Sequence, residues 1–133
     1  MTFLMQRAAV IGLGTGLAIG FGLHRIFDAA IVGFAIGLAV VGAIYLGALL
    51  TEPAPSRRAI WQESTVSALT FGLVALGVLI NPHWLVLGYF GHAAWDWAHH
   101  GHRCGARIVT WYPPFCAVVD IVLGLILLGM IHL

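Results

Sequence analysis

A polytopic, all-α bundle of about five transmembrane helices is predicted by three observations: a high apolar content, a scarcity of charge, and apolar runs each about one bilayer long. Of 133 residues, 61% are hydrophobic and 8% charged, against roughly 25% charged in soluble domains. Lys is absent, and six Arg and five acids leave a net charge of +1. With the Arg scattered, this balance excludes nucleic-acid binding through a basic surface. It excludes intrinsic disorder and a disulfide scaffold as well. At ~20 residues per crossing, residues 1–133 form a single integral membrane domain with no room for a soluble one.

The runs are 4–23, 29–50, 59–80, 83–100 and 113–133. The first has a weak basic flank and no A-x-A-like site, so it is a span rather than a cleaved signal peptide. His24-Arg25-Ile26-Phe27-Asp28 then interrupts the apolar sequence. Joining the first two runs across it would need a helix of about 47 residues, or ~70 Å, so two spans are expected. Arg25 and Asp28, at i and i+3, are expected to pair at this turn. The third run follows the Pro-rich loop 51–58, and Asn81-Pro82 places a proline at the start of the fourth, where its missing N–H costs nothing. Gly101 to Tyr112 is the longest connection, and Pro113-Pro114 starts the fifth run.

Five spans put Arg7, Arg57, Arg58, Arg103 and Arg107 on one side and Arg25 alone on the other. The excess marks the first side as cytoplasmic, which predicts a multi-pass protein of the cell inner membrane with a cytoplasmic N-terminus. Trp61, Trp95, Trp97, Trp111 and Tyr112 fall near that interface and Trp84 near the other, as an aromatic belt requires. Cys104 and Cys116 lie at the cytoplasmic end without a C-x-x-C partner, so unpaired thiols are expected. His83 and His132 are end-of-helix, interfacial residues.

The first span is crowded with glycine, but no strand precedes it and position 17 is Leu, so a dinucleotide loop is excluded. Gly12-Gly16-Gly20 and Ala29-Gly33-Gly37 instead form small-residue stripes, which let helix backbones approach closely in lipid. They are expected to join spans one and two to each other, or to a second copy or a larger membrane complex.

Ionisable side chains inside spans are costly and mark function. At 100° per residue, His92, Asp96 and His99 fall within a sector of about 60°, with Tyr89 at its edge and His100 about 80° from His92. Glu63, Ser67 and Thr70 share a face of span three, and Cys116 and Asp120 share a face of span five. Glu63, His92, Asp96 and Asp120 thus lie at one depth in the cytoplasmic half. His92, Asp96, His99 and His100 are candidate ligands for a divalent transition metal, zinc or iron, since imidazole with carboxylate suits such ions. Glu63 and Asp120 are candidate catalytic acids. The competing arrangement is a network of shared protons that pins three helices together, and His100 and His102 with Arg103 and Arg107 also suit a solvated rim.

The stretch Gly91-His92-Ala93-Ala94-Trp95-Asp96-Trp97-Ala98-His99-His100, followed by Trp111-Tyr112-Pro113-Pro114-Phe115-Cys116 and Asp120, resembles a family of small uncharacterised bacterial integral membrane proteins. Members carry an H-x-x-W-D-x-x-H-H box and a W-Y-P-P-F-C-x-x-x-D box in their last two spans. The resemblance covers residues 61–125; it implies that Glu63, His92, Asp96, His99, His100 and Asp120 are the positions of interest and implies no activity. The first box is also similar to the His clusters of membrane di-iron desaturases, but Asp96 stands where a second His belongs. Only His92, His99, His100 and His102 lie on that side. A seven-span zinc hydrolase of the ceramidase type is a looser likeness, with too few spans here.

Three functions suit these residues: a metal-dependent enzyme acting on a lipid-phase substrate, a non-catalytic accessory subunit, and a protein holding a pigment or haem by an axial His. An enzyme would use the metal to activate water or dioxygen and keep one carboxylate as general base. Transport is disfavoured, because no inverted repeat or paired broken helices are visible.

Overall fold

The computed structural model describes residues 3–25 and 30–133, and among these every regular element is helical. The helices are α1 (Phe3–Arg25), α2 (Ala30–Leu49), α3 (Arg57–Leu79), α4 (His83–His99) and α5 (Tyr112–His132). They match the five expected runs to within two residues at each end. Their ends follow the expected local chemistry. Ser56 Oγ accepts from Ala59 N at 3.1 Å as the N-cap of α3. Asn81 Oδ1 accepts from His83 N at 2.9 Å beside Pro82, and Pro113 and Pro114 occupy the first turn of α5. The expected Arg25–Asp28 pair lies outside the described residues.

α1, α2, α3 and α5 are long and apolar enough to cross a membrane. α4, at 17 residues, is about 26 Å long, somewhat short of a ~30 Å hydrocarbon core. It buries His92, Asp96 and His99, and it runs back between α3 and α5 from the 80–82 turn. The bundle is apolar outside, and its interior, besides an apolar core, buries ionisable groups. On α3, Leu69 is 63% exposed while Glu63, Ser67 and Thr70 are buried. Lipid is the solvent that tolerates such a surface, and it leaves polar groups only interior partners.

Contacts along the helices fix their alternating directions. The Gly12, Gly16 and Gly20 stripe meets, in the same order, Phe115, Val122 and Ile126, so α1 runs parallel to α5. Gly33 faces Leu23, and Gly42 faces Thr70, as antiparallel α1–α2 and α2–α3 pairs require. Ser67 Oγ also donates to Gly42 O at 2.7 Å. The His83 and His132 rings, 5.4 Å apart, bring the end of α5 to the start of α4.

The close packing expected of the first glycine stripe is therefore present, but its partner is α5 rather than α2. A small-residue stripe specifies near approach and leaves the neighbour open; α5 answers it with β-branched Val118, Val119 and Val122. The core divides along the bundle axis. Phe34, Leu38, Leu85, Val86, Tyr89, Val119, Leu123 and Leu127 form an apolar cluster. The buried ionisable groups lie toward the end carrying the 50–56 and 100–111 connections.

A Cβ at Gly16 would stand 2.9 Å from Val122 Cβ, whereas one at Gly14 meets nothing within 4 Å. Gly16→Leu should therefore destabilise the protein by about 1–3 kcal/mol in thermal unfolding in detergent, and Gly14→Leu should be near neutral. Equal behaviour of the two would contradict the seating of α1 on α5.

Candidate functional site

Four helices bring their ionisable residues to one level. Glu63 lies six residues past the start of α3 and Asp120 eight past the start of α5, or ~9 and ~12 Å in. α4 supplies His92, Asp96 and His99 from one face, and α2 supplies Tyr45. All are buried, with Asp96 and Asp120 at 0% exposure.

They form two centres. In the first, His99 Nδ1 donates to Trp95 O at 3.1 Å, while Nε2 lies 2.7 Å from Glu63 Oε1. The carbonyl can only accept, so Nδ1 carries a proton. Glu63 Oε1 also accepts from Ala106 N at 2.6 Å, and Oε2 accepts from Trp95 Nε1 at 3.3 Å. Glu63 thus faces His99 Nε2, the Ala106 amide and the Trp95 indole, and every polar atom of the pair has a partner. Whether the shared proton sits on Nε2 or on Oε1, the pair is neutral overall and closed inside the bundle.

In the second centre His92 Nδ1 donates to Asp120 Oδ2 at 2.8 Å and stands 3.6 Å from Asp96 Oδ2. Tyr45 Oη donates to Asp96 Oδ1 at 2.6 Å. Two donors thus serve four carboxylate oxygens, and Asp96 Oδ2 and Asp120 Oδ1 are buried without a partner. One ligand atom from each of His92, Asp96 and Asp120 lies within 4.8 Å of the others. With both carboxylates ionised and His92 charged the centre would keep one net negative charge, and a proton shared between Asp96 and Asp120 would remove it. The Tyr45 ring lies between the two centres, stacked on His99 at 4.0 Å and 5.9 Å from His92.

The candidate residues are therefore sorted differently from the expected division. Asp120, expected as a catalytic acid, joins His92 and Asp96, two of the candidate ligands. His99 pairs with Glu63, and neither belongs to the triad. His100 is the C-cap just past the end of α4 and lies 6.0 Å from Trp97, outside both centres, its Nδ1 buried without a partner. Tyr45 and the Ala106 amide were not foreseen. Tyr45 is the only side chain of α2 able to donate a hydrogen bond, which is the signal that could have found it; a backbone amide leaves none.

Two cavities flank the site. An apolar groove of about 340 Å³ between α3 and α4 has Val66, Leu69 and Leu73 on one wall and Gly91, His92 and Trp95 on the other. A polar cavity of about 550 Å³ at the loop end includes Arg58, Gln62, His102, Arg103 and Arg107 in its lining. Between this cavity and Glu63 runs a strap, residues 104–106. Gly105 N donates to Gln62 Oε1 at 3.2 Å. Gly105 has φ +63°, and a Cβ there would run into the Glu63 carboxylate and the His99 ring. No family model, curated protein or solved structure matches the chain, which leaves this geometry as the ground for a function.

The strap can be tested through Cys104. Burial and the negative Glu63 raise its thiol pKa, with Arg58 opposing, so the unreactive thiol should persist to higher pH than in free cysteine. In a Cys116→Ala background, the alkylation rate should climb with a midpoint above that of free cysteine. Gly105→Ala, which keeps the Glu63 charge, should raise the rate about tenfold by straining the closed strap. An unchanged rate would contradict the closure.

Proposed function

We propose that this protein is a membrane-embedded, metal-dependent enzyme in which His92, Asp96 and Asp120 hold a divalent transition metal. The observation that carries the proposal is the pair of buried, partnerless oxygens, Asp96 Oδ2 and Asp120 Oδ1, beside His92 Nδ1. Buried oxygens without a donor cost free energy, several kcal/mol each where they carry an uncompensated charge, and a divalent ion would remove that cost. The donor set, two carboxylates and one imidazole, suits zinc or iron. The ion would displace the His92 Nδ1 proton, and Tyr45 would hold Asp96 in place through its outer oxygen, as residues behind a ligand commonly do.

Such an ion would supply Lewis acidity or an activated water. This chain's residues would do the rest. His92 lines the α3–α4 groove, so a substrate dissolved in the bilayer would reach the centre sideways without entering water. The Glu63–His99 pair would hold a proton one tyrosine ring away. The covering of Gly12, Gly16 and Gly20 by α5, with Gly33 against Leu23 and Gly37 against Tyr89, favours an enzyme over an accessory subunit, because these stripes were the features offering a docking face. Five of the six Arg lie at the loop end by sequence, so that end is assigned to the cytoplasm of an inner-membrane protein. Reaction of Cys104 with an impermeant thiol reagent from the opposite side alone would refute that orientation.

Metal content decides the central proposal. Protein purified in mild detergent should carry about one transition-metal ion per chain, and Asp96→Asn or Asp120→Asn should lower its affinity at least about tenfold. His100→Ala should leave it unchanged. Metal-free protein that also fails to take up zinc or iron on reconstitution would overturn the proposal.

A further inference from the structure

We infer that the two cavities along α3 form one binding site for a phosphate-headed lipid, the headgroup lying among Arg58, Arg103 and Arg107 and the chain lying in the α3–α4 groove. The inference rests on shape and charge, independently of the metal.

The first ground is charge. Three guanidinium groups line the polar cavity, and among the described residues none is ion-paired with a carboxylate. The two nearest acids are engaged elsewhere. Glu63 lies beneath the strap holding His99 and Ala106 N, and Glu52 Oε1 accepts from Arg107 N at 2.6 Å. Unpaired guanidinium groups around a polar cavity suit a phosphate group, two of whose oxygens each planar fork can contact at once.

The second ground is continuity. Ala59 and Gln62 line the polar cavity, and Val66, Leu69 and Leu73 line the groove. At 100° per residue these five positions fall within a sector of about 80°, one uninterrupted face of α3 about 21 Å long. The face changes from polar to apolar between Gln62 and Val66, as an amphiphile changes from head to chain. Depth agrees as well. Trp61, Trp97 and Trp111, all exposed, stand at the same end of the bundle as the cavity, at the level where headgroups lie.

A ligand so placed would have its head above the Glu63–His99 strap and its chain against His92 and Trp95. It would thus pass both buried centres without displacing a core side chain. Gly91 is the point where the groove can be closed, since a Cβ there meets nothing within 4 Å.

The test is a titration of the full chain, stripped of metal and held in dodecyl maltoside, with dodecyl phosphate as the probe. Inorganic phosphate and 1-dodecanol serve as competitors. Saturable binding of one dodecyl phosphate per chain is expected. Its affinity should fall about tenfold or more in the Arg58→Gln/Arg103→Gln variant, and comparably in Gly91→Leu, with neither competitor displacing it at equal concentration. Displacement by inorganic phosphate at the probe's own concentration would make the cavity a soluble-anion site and overturn the lipid assignment. Equal displacement by 1-dodecanol would overturn the role of the arginines. Absence of saturable binding, or wild-type affinity in both variants, would overturn the site altogether. Because the protein is metal-free, a failure here is distinct from a failure of the metal proposal.

Discussion

Carboxylates buried in a lipid-facing bundle must be neutralised from within, and this constraint organises the half of the molecule nearest the loops. Water cannot reach Glu63, Asp96 or Asp120, and lipid offers no donor. Each therefore draws partners from other helices. Glu63 of α3 takes His99 of α4 and an amide of the 100–111 connection, and Asp120 of α5 takes His92 of α4. Asp96 of α4 takes Tyr45 of α2. Four helices and a loop are joined by bonds whose loss would strand a charge. This explains why the short α4, weak as a span on its own, lies between α3 and α5.

The two centres solve the same problem with different degrees of completeness. At Glu63–His99 one acid meets one base, every polar atom has a partner, and a strap with a left-handed Gly105 seals the pair from the aqueous end. At His92–Asp96–Asp120 two acids meet one base, and two oxygens remain unmet. The first arrangement is self-sufficient. The second is left incomplete by the side chains around it. That asymmetry is why the triad, a group of three side chains that could hold a metal ion, is the proposed metal site rather than Glu63–His99.

Much of this was legible in the sequence because membrane spans are written in length and hydropathy. The five runs, the inward stripe of α4 and the common depth of Glu63, Asp96 and Asp120 all follow from periodicity and rise per residue. Pairing was less legible. The Gly12-Gly16-Gly20 stripe announces close approach but cannot name its partner, and α5 took the place expected for α2. His99 and His100 are adjacent, so both suggest ligands on paper, yet α4 ends between them and only His99 joins one of the buried centres. The Ala106 amide was invisible because backbone donors carry no residue code. Tyr45 stood in plain view, the lone donor side chain of an apolar helix, and its role emerged only when α2 was set beside α4.

Locating the ion tests the central claim most directly. A crystal structure of the zinc- or iron-loaded protein, with anomalous scattering recorded at the metal edge, should place one peak ~2.0–2.2 Å from His92 Nδ1 and from an oxygen of each of Asp96 and Asp120. A peak between Glu63 and His99, or none at the triad under saturating metal, would contradict the account.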